Sequence, residues 1–201
     1  IKHELKRDPN GNIAIDPSSG NLSMQETGLR KAGRLAPNYN MGWNNSISYQ
    51  GITLGFVVSA RVGGLVYSAT QGILDYYGGS QASADARNNG GVPINYGKID
   101  AKKYYQTIST AEGGYGTYYL YSATNVRLQE LSLSYEFPKK WFHNKLNLSV
   151  GLLARNLWMI YCKAPFDPEL SASTSSNFYQ GVDYFMQPST RNIGFNVKVQ
   201  F

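Results

Sequence analysis

The chain has 201 residues, room for one ordinary domain, with 42% hydrophobic and only 16% charged residues. No apolar run reaches the roughly 18 residues of a transmembrane helix, which leaves membrane strands open because their hydropathy signal is weak. The net charge of +6 comes from scattered cations with no basic stripe between aromatics, which argues against a nucleic-acid partner, and the lone Cys162 excludes an internal disulfide.

Residues 1–39 read as a loop segment with short extended pieces. Within it, DPNGNIAID (Asp8 to Asp16) has the look of a calcium loop, but Gly11 is misplaced for an EF-hand and no bidentate Glu follows, so a turn joining two extended pieces is expected. A first strand is predicted over 40–49, with Tyr39, Met41, Trp43, Ile47 and Tyr49 on one face and Asn45 interrupting it. Gln50-Gly51 then suits a hairpin turn. The second strand, 52–62, alternates Ile52, Leu54, Phe56, Val58, Ala60 and Val62 against Thr53, Gly55, Ser59 and Arg61, with Val57 as exception.

A long connection from 63 to 123 leads to a third strand, 124–137. Its apolar set changes parity between Leu128 and Leu131, which predicts a bulge near Gln129-Glu130. Pro138 ends that ladder, and a short connection leads to a fourth strand over 145–158, in which Leu146, Leu148, Val150, Leu152 and Ala154 share a face. After a second long connection, 159–191, the fifth strand, 192–201, alternates Ile193, Phe195, Val197, Val199 and Phe201 with Asn192, Gly194, Asn196, Lys198 and Gln200.

Strands of roughly 9 to 13 residues are longer than the usual soluble strand and match a tilted bilayer crossing. Short and long connections alternate, as in outer-membrane barrels, where short turns face the periplasm and long loops face outside. On that rule 40–49, 124–137 and 192–201 run inward and 52–62 and 145–158 run outward, which puts Phe201 in the periplasmic aromatic girdle. Five strands cannot close a barrel, and an open edge in lipid costs several kcal/mol per unpaired backbone group, so the chain is expected to be the C-terminal part of something larger. Ile1 would then fall in an outer loop, where proteolytic nicking is best tolerated; a nick, with a companion fragment visible by mass spectrometry, or a division of the sequence there is expected.

TNVRLQELSLSYEFPKK, ARNLW, FDPEL and PSTRNIGFNVKVQF, together with NMGWNNSISYQGITLGFVVSARVGG and SADARNNGGV upstream, resemble the end of SusC-like (SusC/RagA-type) TonB-dependent transporters. The resemblance covers about 30–201, in order. It implies an all-β fold: an antiparallel transmembrane barrel of about 22 strands, of which 40–201 supplies the last five or so, with the plug domain absent from this chain. It also implies the outer membrane of Bacteroidetes-type bacteria. The implied partners are the N-terminal part of the same barrel with its plug, a SusD-like surface lipoprotein acting as a lid, the TonB complex, and outer-membrane lipid. No cofactor is implied.

Enzyme chemistry finds little support. His3 and His143 have no Cys, Asp or His at metal spacing, GGYGTYY lacks a strand–helix frame for phosphate, and Asp167 and Glu169 in FDPEL are expected to form a rigid, solvated bend between prolines. Aromatics in the long connections are the better candidates. Tyr76, Tyr77, Tyr104, Tyr105, Phe178, Tyr179 and Tyr184 offer rings with polar handles to a sugar, a peptide or the lid, with loop packing as the alternative, as do Tyr115, Tyr118, Tyr119 and Phe185. Arg61, Arg155 and Lys198 should face the lumen or the plug. The expected function is TonB-dependent import of glycan-derived oligosaccharides. Import of peptides, a passive porin or adhesin barrel, a soluble carbohydrate-binding module and an outer-membrane enzyme are the alternatives, which a plug upstream of Ile1, detergent-free solubility or a catalytic cluster would separate.

Overall fold

The computed structural model describes residues 4–22, 24–25, 31–109, 117–170 and 181–200. The chain divides into two compact units. One takes the described residues of 36–64, 122–170 and 187–200; the other takes those of 4–35, 65–121 and 181–186.

The first unit is one five-stranded antiparallel sheet. Its strands are β1 (Tyr39–Tyr49), β2 (Ile52–Val62), β7 (Asn125–Glu136), β8 (Asn147–Cys162) and β10 (Asn192–Gln200), each hydrogen-bonded to the next in that order. The five strands expected from alternation are these five, within a few residues at each end. Gln50 and Gly51 both have positive φ, 47° and 85°, as a two-residue hairpin turn between right-twisting strands requires.

The parity change in β7 is a bulge. Val58 faces Leu128 while its neighbour Val57 faces Glu130, so Gln129 is the extra residue. Toward β8 the ladder also skips, from Leu128↔Trp158 to Glu130↔Arg155, and Asn156 in that gap takes φ 53° and donates its amide to the Thr190 carbonyl at 3.2 Å. The bulge returns Leu128 and Val126 to the side of the sheet that carries Leu131, Leu133 and Tyr135.

The second unit holds what the sequence suggested were loops. Its strands are β3 (Leu65–Ser68), β4 (Val92–Ile94), β5 (Gly97–Ile99), β6 (Leu120–Ser122) and β9 (Val182–Asp183), and its helices are α1 (Ala69–Tyr77), α2 (Gln81–Asn88) and α3 (Ala101–Ser109). Local caps explain the helices. Ser68 Oγ accepts from Gln71 N at 3.1 Å, Ser80 Oγ accepts from Ser83 N at 3.1 Å, and Asp100 Oδ1 accepts from Lys103 N at 3.0 Å. Gly78, left-handed at φ 74°, closes α1 with its N–H on the Asp75 carbonyl.

Leu5, Leu22, Tyr67, Ile94, Ile99, Ile108, Tyr119 and Val182 form the core of this unit. The N-terminal segment joins it through isolated bridges Leu5↔Met24, Arg7↔Ile13 and Ile15↔Leu22. Asp8 Oδ1 accepts from Asn10 N and Asn12 N, both at 2.9 Å, so DPNGN is a side-chain-stitched turn. Asp16 makes a second turn, and bonds from Ser19 and Ser18 hold its carboxyl down at about 2.

Candidate functional site

The two faces of the five-stranded sheet differ in chemistry. On one face the register lines up rows that cross the strands: Trp43–Val58–Leu128–Trp158, Ile47–Leu54–Leu133–Leu152–Phe195 and Tyr49–Ile52–Tyr135–Val150–Val197. This face is exposed although apolar, with Phe195 at 80% and Ile193 at 77% of full exposure. An uncovered apolar surface this wide is not stable in water, since soluble monomers rarely expose contiguous patches beyond a few hundred Å².

The opposite face carries Ser48–Thr53–Ser134–Gly151–Asn196 and Ser46–Gly55–Ser132–Leu153–Gly194. Ser48 Oγ and Thr53 Oγ1 lie 2.9 Å apart. Glycine serves close approach here: a Cβ on Gly151 would lie 2.7 Å from Asn196 Oδ1, and one on Gly55 2.6 Å from Ser132 Oγ. Arg155 Nε donates to Glu130 Oε2 at 3.1 Å on this face, Lys198 is exposed, and Arg61 is half-buried. At the short turn after β7 the rings of Tyr135, Phe137 and Trp141 sit in sequence, 4.8 and 5.8 Å between centroids. Aromatic clusters of this kind mark a membrane–water boundary in barrels.

FDPEL is not the solvated bend expected of it. The Arg127 guanidinium grips Asp167 through both terminal nitrogens, at 3.2 and 2.7 Å, and reaches Glu169 at 3.3 Å. The Arg127 and Asp167 side chains are each only 8% exposed. Ser189 Oγ donates to Asp167 at 2.8 Å and Arg127 Nε to Asn125 Oδ1 at 3.4 Å. Burial pushes the Asp167 carboxyl up, but the Arg127 bonds, the Glu169 N–H and the Ser189 hydroxyl outweigh it and hold it below the usual value. The clamp fastens two points of the second long connection, 167–169 and Ser189, to β7. The signal missed was Arg127 itself, a cation between Val126 and Leu128 that needs a partner.

Of the aromatic candidates, Tyr76 and Tyr77 are exposed at the end of α1, their rings edge to face at 5.1 Å. Tyr104 and Tyr105 are half-buried on α3 and pack partly against the core, and burial raises both phenols. Tyr184 and Phe185 are exposed after β9 with rings 5.5 Å apart. Tyr118 packs on the core, while Tyr119 is buried in it and donates to Asp75 Oδ2 at 2.8 Å. His3, Tyr115, Phe178, Tyr179 and Phe201 lie outside the described residues. Among the described residues no three His, Cys, Asp or Glu side chains gather at metal-binding spacing.

A single-layer antiparallel sheet, apolar and exposed on one side and polar on the other, is a piece of membrane β-barrel wall. No family model matches the chain. The TonB-dependent receptor P3 of Formosa agariphila is 26% identical over an alignment 201 positions long that covers 96% of this chain and 19% of that protein. Among solved structures, the RagAB peptide importer in its closed-closed state matches with a TM-score of 0.57 at 20% identity, covering 98% of this chain and 22% of that one. The open-open state matches at 0.61 and 18%, and the RagAB peptide transporter at 0.62 and 18%, covering 98% of this chain and 21% and 22% of theirs. The chain thus spans about a fifth of the length of the relatives it matches. Its sequence is similar to that of a TonB-dependent receptor, and its fold is that of a stretch of the barrel in the solved RagAB structures.

Proposed function

We propose that the protein to which this chain belongs imports glycan-derived oligosaccharides across the outer membrane, without covalent chemistry, driven by TonB and assisted by a SusD-like lid lipoprotein. The exposed apolar face of the sheet, backed by a polar face at every register position but a few, supports this most directly: hydrocarbon covers one side and a water- or plug-filled lumen the other. In this reading the strands run as the loop lengths suggest, with the short turns periplasmic and the C-terminus on that side. Residues 1–39 lie outside, the aromatic pairs of the second unit meet ligand or lid, and Arg61, Arg155 and Lys198 line the lumen or meet the plug.

Peptide import is the second reading, favoured by the likeness to the RagAB peptide importer. The test is uptake by cells that carry or lack the full gene, offered fluorescent oligosaccharides and fluorescent peptides in parallel. Loss of oligosaccharide uptake in the deletion and in a strain without TonB is the expected result. Loss of peptide uptake instead selects the second reading, and uptake that persists without TonB identifies a passive pore.

A further inference from the structure

A cavity of about 350 Å³ lies within the second unit, lined by the end of α1, by Ser83 and Arg87 of α2 and by residues 101–102 and 105–106 of α3. Its rim is aromatic and amide-bearing, with Tyr76, Tyr77, Tyr105 and Gln106 among its lining. Two cations, Arg87 of α2 and Lys102 of α3, also line it. Its one lining carboxylate, Asp75, is 5% exposed and already taken: Tyr119 Oη donates to Oδ2 at 2.8 Å and Gln71 Nε2 to Oδ1 at 3.0 Å. Asp85, on the same helix as Arg87, accepts from Gln81 Nε2 at 2.7 Å. Among the described residues no salt bridge involves Arg87 or Lys102.

Arg87 is also placed rather than loose. Its Nη1 donates to Ser83 Oγ at 3.4 Å, and Ser83 is fixed by donating its hydroxyl to the Ser80 carbonyl at 2.8 Å. The guanidinium lies over Gly78, where a Cβ would come within 2.6 Å of Nη1. A side chain at position 78 would displace the guanidinium, so the left-handed cap of α1 doubles as the seat of the cation.

We propose that this cavity binds a carboxylate-bearing ligand, the carboxylate held by Arg87 and Lys102 and the neighbouring part of the ligand lying against the tyrosines. A planar guanidinium gives a carboxylate two parallel hydrogen bonds, and the ammonium adds a point charge. Tyrosine faces suit a sugar ring or an extended peptide backbone. An acidic oligosaccharide and the C-terminus of a peptide share this chemistry. The inference deepens the import reading and rests on it for the ligand's onward passage, though not for its capture.

The test is isothermal titration of the detergent-purified full-length transporter with four probes: trigalacturonate, its fully methyl-esterified form, triglycine and triglycine amide. At least one of the two acids should bind, and better than its neutral counterpart. In the double variant Arg87→Gln/Lys102→Gln that acid should bind about tenfold more weakly, the loss of one good charge-assisted contact, while the neutral form changes little. Dependence confined to trigalacturonate assigns the cavity to acidic glycans, and dependence confined to triglycine assigns it to peptide C-termini. The proposal is overturned if neither acid binds at millimolar concentration, if acid and neutral forms bind alike, or if the double variant binds the acids as the parent does. Unaltered heat-modifiable gel migration of the variant shows that the barrel still folds. Uptake independent of TonB would sink the import reading and leave these binding results standing.

Discussion

The two units of the chain solve the same problem in opposite directions. In the helical unit, Leu5, Tyr67, Ile94, Ile99, Ile108 and Tyr119 turn inward and are buried, while in the five-stranded sheet Trp43, Ile47, Leu152, Phe195 and Val197 turn outward and are exposed. The first arrangement needs side chains from distant segments to interlock. The second needs only an apolar solvent, and the backbone must then satisfy itself strand by strand. Polar groups follow the same division. Asp75, Ser68 and Asp183 are buried and bonded inside the helical unit, with Ser68 Oγ donating to Asp183 at 2.8 Å. In the sheet they gather on one face, and among the described residues the tightly buried ion pair, Arg127–Asp167, sits at the start of β7 where the long connections meet it.

That ion pair is where the sheet borrows the logic of the helical unit, so breaking it should have the largest effect. Arg127→Leu leaves Asp167 buried with, among the described residues, Ser189 and the Glu169 N–H, at a cost of about 3–5 kcal/mol. The measurement is thermal unfolding of the purified barrel, together with protease sensitivity of 163–170. A pH dependence follows. The folded Asp167 carboxyl is held below its ordinary value of about 4, so its contribution is fully present above that value and is lost as pH falls through the lower folded one. Stability of the parent protein should therefore fall with acidification below about pH 4, and the Arg127→Leu variant should show a smaller fall over the same window. Equal acid sensitivity would show that the clamp does not set it.

The outward arrangement itself is tested by two neighbouring residues of β10. Val197 lies in the row with Val150 and Tyr135, and Asn196 lies on the other face beside Gly151. Val197→Arg should cost about 2–4 kcal/mol and reduce assembled barrel, and Asn196→Arg should cost far less. Heat-modifiable migration of membrane-extracted protein reads the difference. Equal damage would mean that the apolar face does not meet lipid.

The inward arrangement is probed by Tyr119→Phe. The substitution keeps the ring in the core but removes the donor to Asp75 Oδ2, leaving that buried carboxylate, among the described residues, with Gln71. An unsatisfied buried polar group costs about 1–3 kcal/mol. The loss should register as faster hydrogen exchange across α1 and α3, with exchange in β7 and β8 unchanged. Uniform acceleration would show that the two units do not unfold separately.

The sheet was legible because lipid and water read a strand one residue at a time. Alternation from Ile193 to Val199 needs no knowledge of any other part of the chain, and even the bulge at Gln129 showed as a parity slip between Leu128 and Leu131. The helical unit reads as loop in the sequence because its helices are eight or nine residues long, too short for a periodic pattern to stand out. Its punctuation was nonetheless present in Ser68, Ser80 and Asp100 as caps and Gly78 as a stop. The Arg127–Asp167 clamp joins residues 40 apart, and no local pattern announces such a pair. Tyr104 and Tyr105 could not be told from Tyr76 and Tyr77 by sequence, because what separates them is which face of a helix meets the core.

The smallest effect is also the one that reports on what covers the polar face. Arg155 and Glu130 pair at 3.1 Å across β7 and β8, with side chains 60% and 35% exposed. If water fills the space before them, a double-mutant cycle of Arg155→Gln and Glu130→Gln should give a coupling of about 0.2–1 kcal/mol, falling further in high salt. If a plug packs over that face, the pair is desolvated, and removing one partner strands the other in a medium of lower dielectric. The coupling would then rise well above 1 kcal/mol and lose its salt dependence. Measured in the full-length barrel at low and at high salt, the cycle separates a face that is wet at Arg155 from one that is filled there.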